Sequence, residues 1–365
     1  MTNKEKQILE IIKNNPMIEQ NDIADMLHIK RSTVAVHIAS LQKQGLLMGK
    51  GYIINEDKYV VGIGAANVDI YGKSTIAIKT HYDHPANITT SVGGVTRNVL
   101  ENVSLLGVKT KLISAIGNDV YGKLIVDHCE EVGIDVSNVL KVDGMSSGLF
   151  MQVQDNDNDM YLALCDMSVN ERINLEYIKS KHKVLKNAKV IVIDPSLDNK
   201  VIEHILDTYK DIPIFMDPVS DNYALKMKPY IGKLFACKPN KTELENLSGV
   251  KISNDKDLKK AGQKLIDEGL DKLYVSLGKK GCLYMDKQGN YIKKDIKPAE
   301  SVVNASGAGD SFYAAVIYSY INQFDDNKTL DYALAAGRIA LESKTPINPK
   351  LSVKLINKRI KENYR

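Results

Sequence analysis

The segment NASGAGD at residues 304–310 places small residues and one acid directly before an apolar stretch, SFYAAVIYSYI. Glycine lets a backbone approach a ligand closely, and the first N–H groups of the following helix point at a negative charge. An Asp at such a helix start can accept the proton of a hydroxyl that attacks a phosphate. We therefore predict an anion hole at Gly307, Ala308 and Gly309, with Asp310 as general base. The alternative is a glycine turn in which Asp310 only favours the helix dipole.

A second glycine pair, Gly93 and Gly94, precedes another helical stretch in the segment SVGGVTRNVLENVSLLG. We predict a helix from Asn98 to Leu106. Arg97 and Asn98 stand at its start, where a guanidinium and an amide can hold sugar hydroxyls. Two glycine-led helix starts favour a site for a phosphorylated or hydroxylated ligand.

The elements that would position these residues alternate along the chain from Tyr59 onward. Strand-like apolar runs separated by amphipathic stretches are YVVGIGAANVDI, KLISAIG, VIVID, IPIFMD, KLFACK and KLYVSLG. This alternation predicts an α/β fold with a mostly parallel sheet sandwiched by helices. Ligands of such sheets bind beyond the carboxyl ends of the strands, so we expect the site at that edge.

The first 57 residues predict a separate winged helix-turn-helix module, preceding a larger domain at 58–365. Apolar spacing indicates helices over 4–14, 20–27 and 31–44, followed by a short hairpin around Lys50. From His28 to Ile54 there are four cations and no acid, which is typical of a surface that meets DNA phosphates. The predicted DNA contacts are Lys30, Arg31, Ser32, Thr33, His37 and Lys50. The alternative is a protein-interaction or dimerisation module.

The composition is that of a globular protein, at 365 residues with 44% hydrophobic and 26% charged residues. No run of about 18 apolar residues is long enough to span a membrane, and the N-terminus lacks a signal-peptide pattern, so we expect a cytoplasmic protein. A net charge of +4 is too small to imply nucleic-acid binding by the whole chain. The four cysteines are scattered singly, which argues against zinc and disulfides and favours small buried apolar residues.

The two glycine segments resemble the ribokinase-like family, also called the PfkB carbohydrate kinases, over about residues 59–349. The resemblance implies an ATP-dependent kinase in which Asp310 is the catalytic base. Asn240 to Glu243 matches the family's NxxE motif, where the Glu helps to place Mg²⁺ beside the phosphates. The same four residues could simply cap a helix.

Further site residues follow from the resemblance alone. The implied nucleotide contacts are Asn240, Ser276, Gly278 and Gly281. The implied substrate contacts are Asn67, Asp69, Gly93, Gly94, Arg97, Asn98 and Asp166. Segments 72–90 and 148–163 resemble the family's β lid, which excludes water and often pairs with a second subunit, so we expect a homodimer.

Within the family, the segments GGVTRNVLENVSLLG, NDMYLALCDMS and VVNASGAGDSF look most like pseudouridine kinases. This similarity implies phosphorylation of a ribonucleoside. The alternatives are inosine, another nucleoside or a sugar as substrate, or a transcriptional regulator whose kinase-like domain senses a sugar or nucleoside. Asn304 stands where potassium-activated relatives usually have Asp, which leaves a monovalent cation open.

Overall fold

A computed structural model of the chain describes residues 1–48, 59–157, 159–297, 302–304 and 306–363. The chain forms two compact units, Met1–Lys58 and Tyr59–Arg365. The predicted hairpin around Lys50 and the predicted boundary at residue 57 lie outside the described residues. Among the described helices, none is long and apolar enough to cross a membrane.

The first unit consists of three helices, α1 (Asn3–Asn14), α2 (Gln20–Leu27) and α3 (Arg31–Lys43). The helix positions predicted from apolar spacing are thus confirmed. Thr2 and Glu5 form a capping box that satisfies free N–H groups at the start of α1. His28 ends α2 with a φ of +50°, a left-handed conformation that glycine adopts more easily. One apolar cluster joins the three helices.

The second unit alternates strands with helices. Its strands are β1 (Tyr59–Ile63), β2 (Asn67–Ser74), β3 (Ala86–Gly93), β4 (Lys109–Gly117), β5 (Ile134–Val142), β6 (Gly148–Gln154), β7 (Met160–Asp166), β8 (Val190–Ile193), β9 (Ile214–Met216), β10 (Ala236–Cys237), β11 (Lys272–Ser276), β12 (Cys282–Asp286) and β13 (Tyr291–Lys294). Its helices are α4 (Val95–Leu105), α5 (Val120–Glu131), α6 (Leu175–Ser180), α7 (His182–Lys186), α8 (Asn199–Thr208), α9 (Asp221–Met227), α10 (Lys241–Ser248), α11 (Asp255–Asp267), α12 (Ala308–Ile321), α13 (Asp326–Ala340) and α14 (Val353–Asn363).

Nine strands form the main sheet in the order β13-β12-β11-β10-β9-β8-β1-β4-β5. All neighbours from β11 to β5 are parallel, and only β12 and β13 are antiparallel. Val60 on β1 belongs to one apolar cluster and Val61 to another, so helices cover both faces of the sheet. The predicted α/β fold is thus confirmed. The continuous apolar runs of the sequence arise because a parallel sheet is buried on both faces.

A second, four-stranded sheet has the order β3-β2-β6-β7. It contains both segments that resemble the β lid. Because successive side chains of a strand point to opposite faces, Asp69 and Tyr71 lie on one face and Ile70 lies on the other. Phe150 pairs with Asp69 and shares its face.

Cysteine placement departs from expectation at one position. Cys129, Cys237 and Cys282 are buried, as predicted, whereas Cys165 is exposed on β7. The prediction was wrong for Cys165 because β7 is the edge strand of the small sheet, and nearly all of its side chains are exposed.

Candidate active site and DNA-binding surface

The glycine loop before α12 contains a left-handed backbone conformation that residues with a side chain rarely adopt. Gly307 precedes α12 with a φ of +76°, and a Cβ at this position would lie 1.9 Å from the Pro346 carbonyl oxygen. Ala308, Gly309 and Asp310 form the first turn of α12, whose next residues are buried on all sides. The free N–H groups of this turn therefore sit on a rigid helix. The geometry suits an anion.

Asp310 is half-buried in the first turn of α12, and its Oδ2 accepts a 2.8 Å hydrogen bond from Asn98 Nδ2. Burial and then the neighbouring Asp217 raise the pKa of Asp310 to about 6, against the opposing effects of Asn98 and Lys238. A carboxylate with such a pKa is mostly ionised at neutral pH and is a stronger base than an exposed one.

Two charged residues of this site were missed by the sequence predictions. Lys238 follows β10, is 5% exposed, and pairs with Asp217 at 3.1 Å between Nζ and Oδ2. A Cβ on Gly309 would lie 3.1 Å from that same Nζ. Burial opposes the charge of Lys238, but the carboxylates around it outweigh burial and raise its pKa. The available signal was position, since these two residues are the last of the strand-like runs IPIFMD and KLFACK.

Asn240 and Glu243 form a capping box at the start of α10. The Asn240 backbone N–H donates to Glu243 Oε2 at 2.8 Å, and Asn240 Oδ1 accepts from the Glu243 N–H at 2.9 Å. Burial and then Asp217 raise the pKa of Glu243 to about 7. A buried carboxylate with a raised pKa gains from a nearby cation, so Glu243 fits the Mg²⁺ role that the resemblance implies. Within the described residues, no group of three or more acids, histidines or cysteines forms a closed metal cage.

The residues predicted to meet the nucleotide lie at the end of β11. Ser276 pairs with Asn240 in an isolated parallel bridge, which brings two predicted contacts together. Gly278 and Gly281 have φ values of +57° and +83°, and a Cβ on Gly281 would lie 1.9 Å from the Lys294 carbonyl oxygen. These glycines shape the turn between β11 and β12.

Asn67 and Asp69 lie next to each other at the start of β2, and both are buried. Asn67 Nδ2 donates to Asp69 Oδ1 at 2.6 Å. A Cβ on Gly93 would lie 2.3 Å from the Asp69 carboxylate, so glycine is required there for this close approach. Gly94 begins α4 with a φ of +98°. Burial raises the pKa of Asp69, with Asn67 and Arg97 opposing it.

Arg97 does not face the ligand side in the way the sequence predicted. It is 1% exposed, and its guanidinium donates to Gly93 O, Val92 O, Asn98 and Glu101. The physical reason is that α4 begins at Val95, three residues earlier than predicted, so Arg97 lies in a helical turn beneath the glycine pair.

Asp166 and Asn304 make local contacts. Asp166 is exposed at the end of β7 and accepts from the Ser168 N–H at 3.0 Å. This hydrogen bond is separate from the one between Asn67 and Asp69. Asn304 accepts from the Ser306 N–H at 2.9 Å and donates to Lys344 O at 3.2 Å. The oxygen and the nitrogen of the Asn304 amide thus both form hydrogen bonds within the protein.

In the first unit, the start of α3 presents polar residues to solvent. Lys30, Arg31, Ser32 and Thr33 are exposed and His37 is half-buried, while Val34 of the same helix is in the core. This arrangement matches a recognition helix whose first turn faces a nucleic acid. Lys50 lies outside the described residues.

Several known proteins are similar to this chain in sequence. A relative from Escherichia coli (strain K12), the uncharacterized sugar kinase YeiI, is 34% identical over 96% of this chain and 97% of its own. A pseudouridine kinase of the same organism is 32% identical over 82% of this chain and 96% of its own. A guanosine-inosine kinase of Exiguobacterium acetylicum is 26% identical over 77% of this chain and 92% of its own.

Solved structures share the fold. Arabidopsis thaliana ribokinase, complexed with ribose and ATP, has a TM-score of 0.74 at 22% identity and covers 84% of this chain and 99% of its own. A chain from E. coli, in complex with ATP and Mg²⁺, has a TM-score of 0.73 at 20% identity, with the same coverage.

Two family models divide the chain. Residues 1–48 match the winged helix-turn-helix DNA-binding model, and residues 57–353 match that of the pfkB family carbohydrate kinases. Together with the glycine loop, the Asp310 environment and the α/β sheet, these matches show that the chain belongs to the PfkB family of carbohydrate kinases and carries an N-terminal winged helix-turn-helix domain.

Proposed function

We propose that the chain transfers the γ-phosphoryl group of ATP to the 5′-hydroxyl of a ribonucleoside, with pseudouridine as the first candidate. Asp310 accepts the hydroxyl proton, the oxygen bonds to phosphorus, and the bond to ADP breaks. N–H groups at Gly307 to Gly309 and the Lys238 ammonium stabilise charge on the transferring group. Bound Mg²⁺, placed through Glu243, would neutralise phosphate charge.

Substrate binding in this proposal uses Asn67, Asp69 and Asn98 for the ribose hydroxyls. Gly93 and Gly94 let the backbone approach the sugar. The nucleotide is proposed to lie against Asn240, Ser276, Gly278 and Gly281. These assignments rest on the resemblance and, for Asn240, Ser276 and Gly278, on their placement at or just beyond the carboxyl ends of β10 and β11.

A pair of aromatic side chains is the observation that favours a nucleoside over a plain sugar as the substrate. Tyr71 and Phe150 lie edge to face with ring centroids 6.3 Å apart, on the face of the small sheet that bears Asp69. The Tyr71 phenol also interacts with Ser306 and Asp310, and burial followed by the Asp69 charge raises its pKa to about 12. A flat base can stack on such rings, whereas a sugar offers no π face.

Substrate choice is tested by ATP consumption with pseudouridine, inosine, uridine, 2′-deoxynucleosides, ribose and fructose. Pseudouridine should give the highest kcat/KM. Replacing Phe150 with Leu should raise the nucleoside KM by about two- to tenfold, the worth of an aromatic contact, and leave any activity on ribose unchanged. Tyr161→Leu, on the edge strand β7, is the matched control.

The outcomes separate the alternatives. Equal efficiency on fructose or 2′-deoxynucleosides would contradict the ribose assignment. High activity on inosine with none on pseudouridine would remove only the base assignment, in line with the guanosine-inosine kinase relative. A chain that binds nucleosides without consuming ATP would instead be a sensor.

We infer that the N-terminal domain binds DNA through the start of α3 and through Lys50. Replacing Arg31 and Lys50 with Ala should weaken duplex binding at low salt at least about tenfold, and lower the slope of log K against log salt by about 2, because two phosphate contacts are lost. Fluorescence anisotropy of the intact chain with a labelled mixed-sequence duplex measures both. Lys4→Ala with Lys6→Ala removes the same charge from α1 and should have a small effect. An intact chain without affinity at low salt would indicate a protein-interaction domain.

We also infer that the chain forms a homodimer through the small sheet. The face opposite Asp69 exposes apolar side chains on three strands, namely Ile88, Met151, Leu162 and Leu164. Exposed apolar patches of this kind mark interaction surfaces. Light scattering of the intact chain would show a monomer if this inference is wrong.

A further inference from the structure

Arg97 is the largest fully buried side chain among the described residues, and its guanidinium donates to protein acceptors. Its Nε donates to Gly93 O at 3.1 Å and its Nη2 to Val92 O at 2.6 Å. Nη2 also donates to Asn98 Oδ1, and Nη1 donates to Glu101 Oε2. Burying an arginine costs free energy of folding unless the charge is paired. We therefore asked what the buried guanidinium does in this site.

The contact with Asn98 fixes the orientation of an amide. A guanidinium has donors only, so the Asn98 oxygen must face Arg97. The Asn98 nitrogen then faces the opposite direction, where it donates to Asp310 Oδ2 at 2.8 Å. A flipped amide would point its oxygen at the carboxylate and repel it.

The backbone around Asn98 holds the two helices together. The Asn98 carbonyl accepts from Asn102 Nδ2 at 2.8 Å, and Asn102 Oδ1 accepts from Ser311 Oγ at 2.8 Å. Helix α4 thus forms hydrogen bonds to two successive residues at the start of α12, Asp310 and Ser311. The orientation of the Asn98 amide is therefore transmitted directly to the base.

Glu101 balances the charge of Arg97. It is 5% exposed and also lies 3.1 Å from Nε2 of His128, which is partly exposed on α5. Burial opposes ionisation of Glu101, but His128 and Arg97 together hold its pKa below the ordinary value. The Glu101 carboxylate thus compensates the buried charge of Arg97 and holds its side chain in place.

We propose that Arg97 is a positioning residue that orients the Asn98 amide toward Asp310, and that it does not contact the substrate. This inference rests on the proposed role of Asp310 as the base. It replaces the expectation that Arg97 holds a sugar hydroxyl. The charged or titratable groups that act on Asp310 are Asp217 after β9, Lys238 after β10, Arg97 on α4 and Tyr71 on β2.

The test compares variants that keep or remove the Arg97 contact. Arg97→Met with Glu101→Gln removes both buried charges, which avoids leaving either one unpaired. We expect the acid limb of kcat to move upward by about one pH unit, since a charged hydrogen bond is worth roughly one to two pKa units. The nucleoside KM should rise no more than it does in Asn98→Ala, because Arg97 acts on the substrate only through Asn98. Glu101→Gln alone keeps the Asn98 contact, so its limb should remain at or below the wild-type position.

A double-mutant cycle tests whether Arg97 acts through Asn98. Asn98→Ala should move the acid limb by a similar amount, and adding it to the Arg97→Met/Glu101→Gln background should cause little further movement. Additive movement would overturn the proposal. So would an unchanged limb with a KM that rises at least about tenfold, which is the signature of a lost substrate contact.

A measurement without substrate separates this proposal from the proposed function. The Asp310 carboxyl can be titrated by ¹³C NMR in the ligand-free chain, with Asp310→Asn to assign its signal. A higher Asp310 pKa in the Arg97→Met/Glu101→Gln variant than in the wild type supports the proposal even if no nucleoside is phosphorylated. An equal pKa in the two proteins overturns it, whatever the substrate proves to be.

Discussion

Replacing Asp310 with Asn is expected to lower turnover by at least about 10²-fold, the usual cost of losing a general base, and to leave ATP affinity near its wild-type value. Asn has the same shape, so its Oδ1 can still accept from Asn98 Nδ2, which donates to Asp310 at 2.8 Å. It cannot accept the hydroxyl proton. Steady-state kinetics gives kcat, and calorimetry gives the affinity for ATP.

Asp326→Asn is the matched control for this variant. Asp326 is also an acid in the first turn of a helix, α13, where it is half-buried and pairs with Lys272. It should alter turnover little. Normal turnover in Asp310→Asn would refute the role of Asp310 as base.

Replacing Lys238 with Ala is expected to lower turnover at neutral pH by roughly 10²-fold, a typical loss for a group that stabilises transferring charge. Lys238 pairs with Asp217 and stands beside Gly309. Its positive charge lowers the pKa of Asp310, which is about 6 in the wild type. Without it that pKa rises, so the base becomes protonated at higher pH and the acid limb of activity moves upward.

Controls for Lys238 address folding and charge. Lys238→Ala leaves Asp217 buried without its partner, which can destabilise the fold by about 3–5 kcal/mol. The double variant Lys238→Met/Asp217→Asn removes both charges and should fold while remaining slow. Lys241→Ala removes an exposed cation three residues away and should behave as wild type. An acid limb at the wild-type pH in folded Lys238→Ala would contradict the electrostatic role.

Local patterns in the sequence determined the fold class and the two glycine-led helices of the site, although α4 begins three residues earlier than predicted. The alternation of apolar runs and amphipathic stretches predicted the parallel sheet, because a strand buried on both faces must be apolar throughout. The three N-terminal helices followed from apolar spacing alone. The glycine loop at 307–309 was recognisable because the left-handed conformation at Gly307 favours glycine, and that constraint acts within one short segment.

Tertiary structure alone decided which charges act together. Asp217 and Lys238 stand 21 residues apart as single charged residues after short strands, and they meet because β9 and β10 are neighbours in the sheet. Arg97 carried a clear sequence signal, yet its direction depended on where α4 begins. Sequence patterns report local geometry, whereas burial and pairing of charges depend on residues that only the fold brings within a few ångströms.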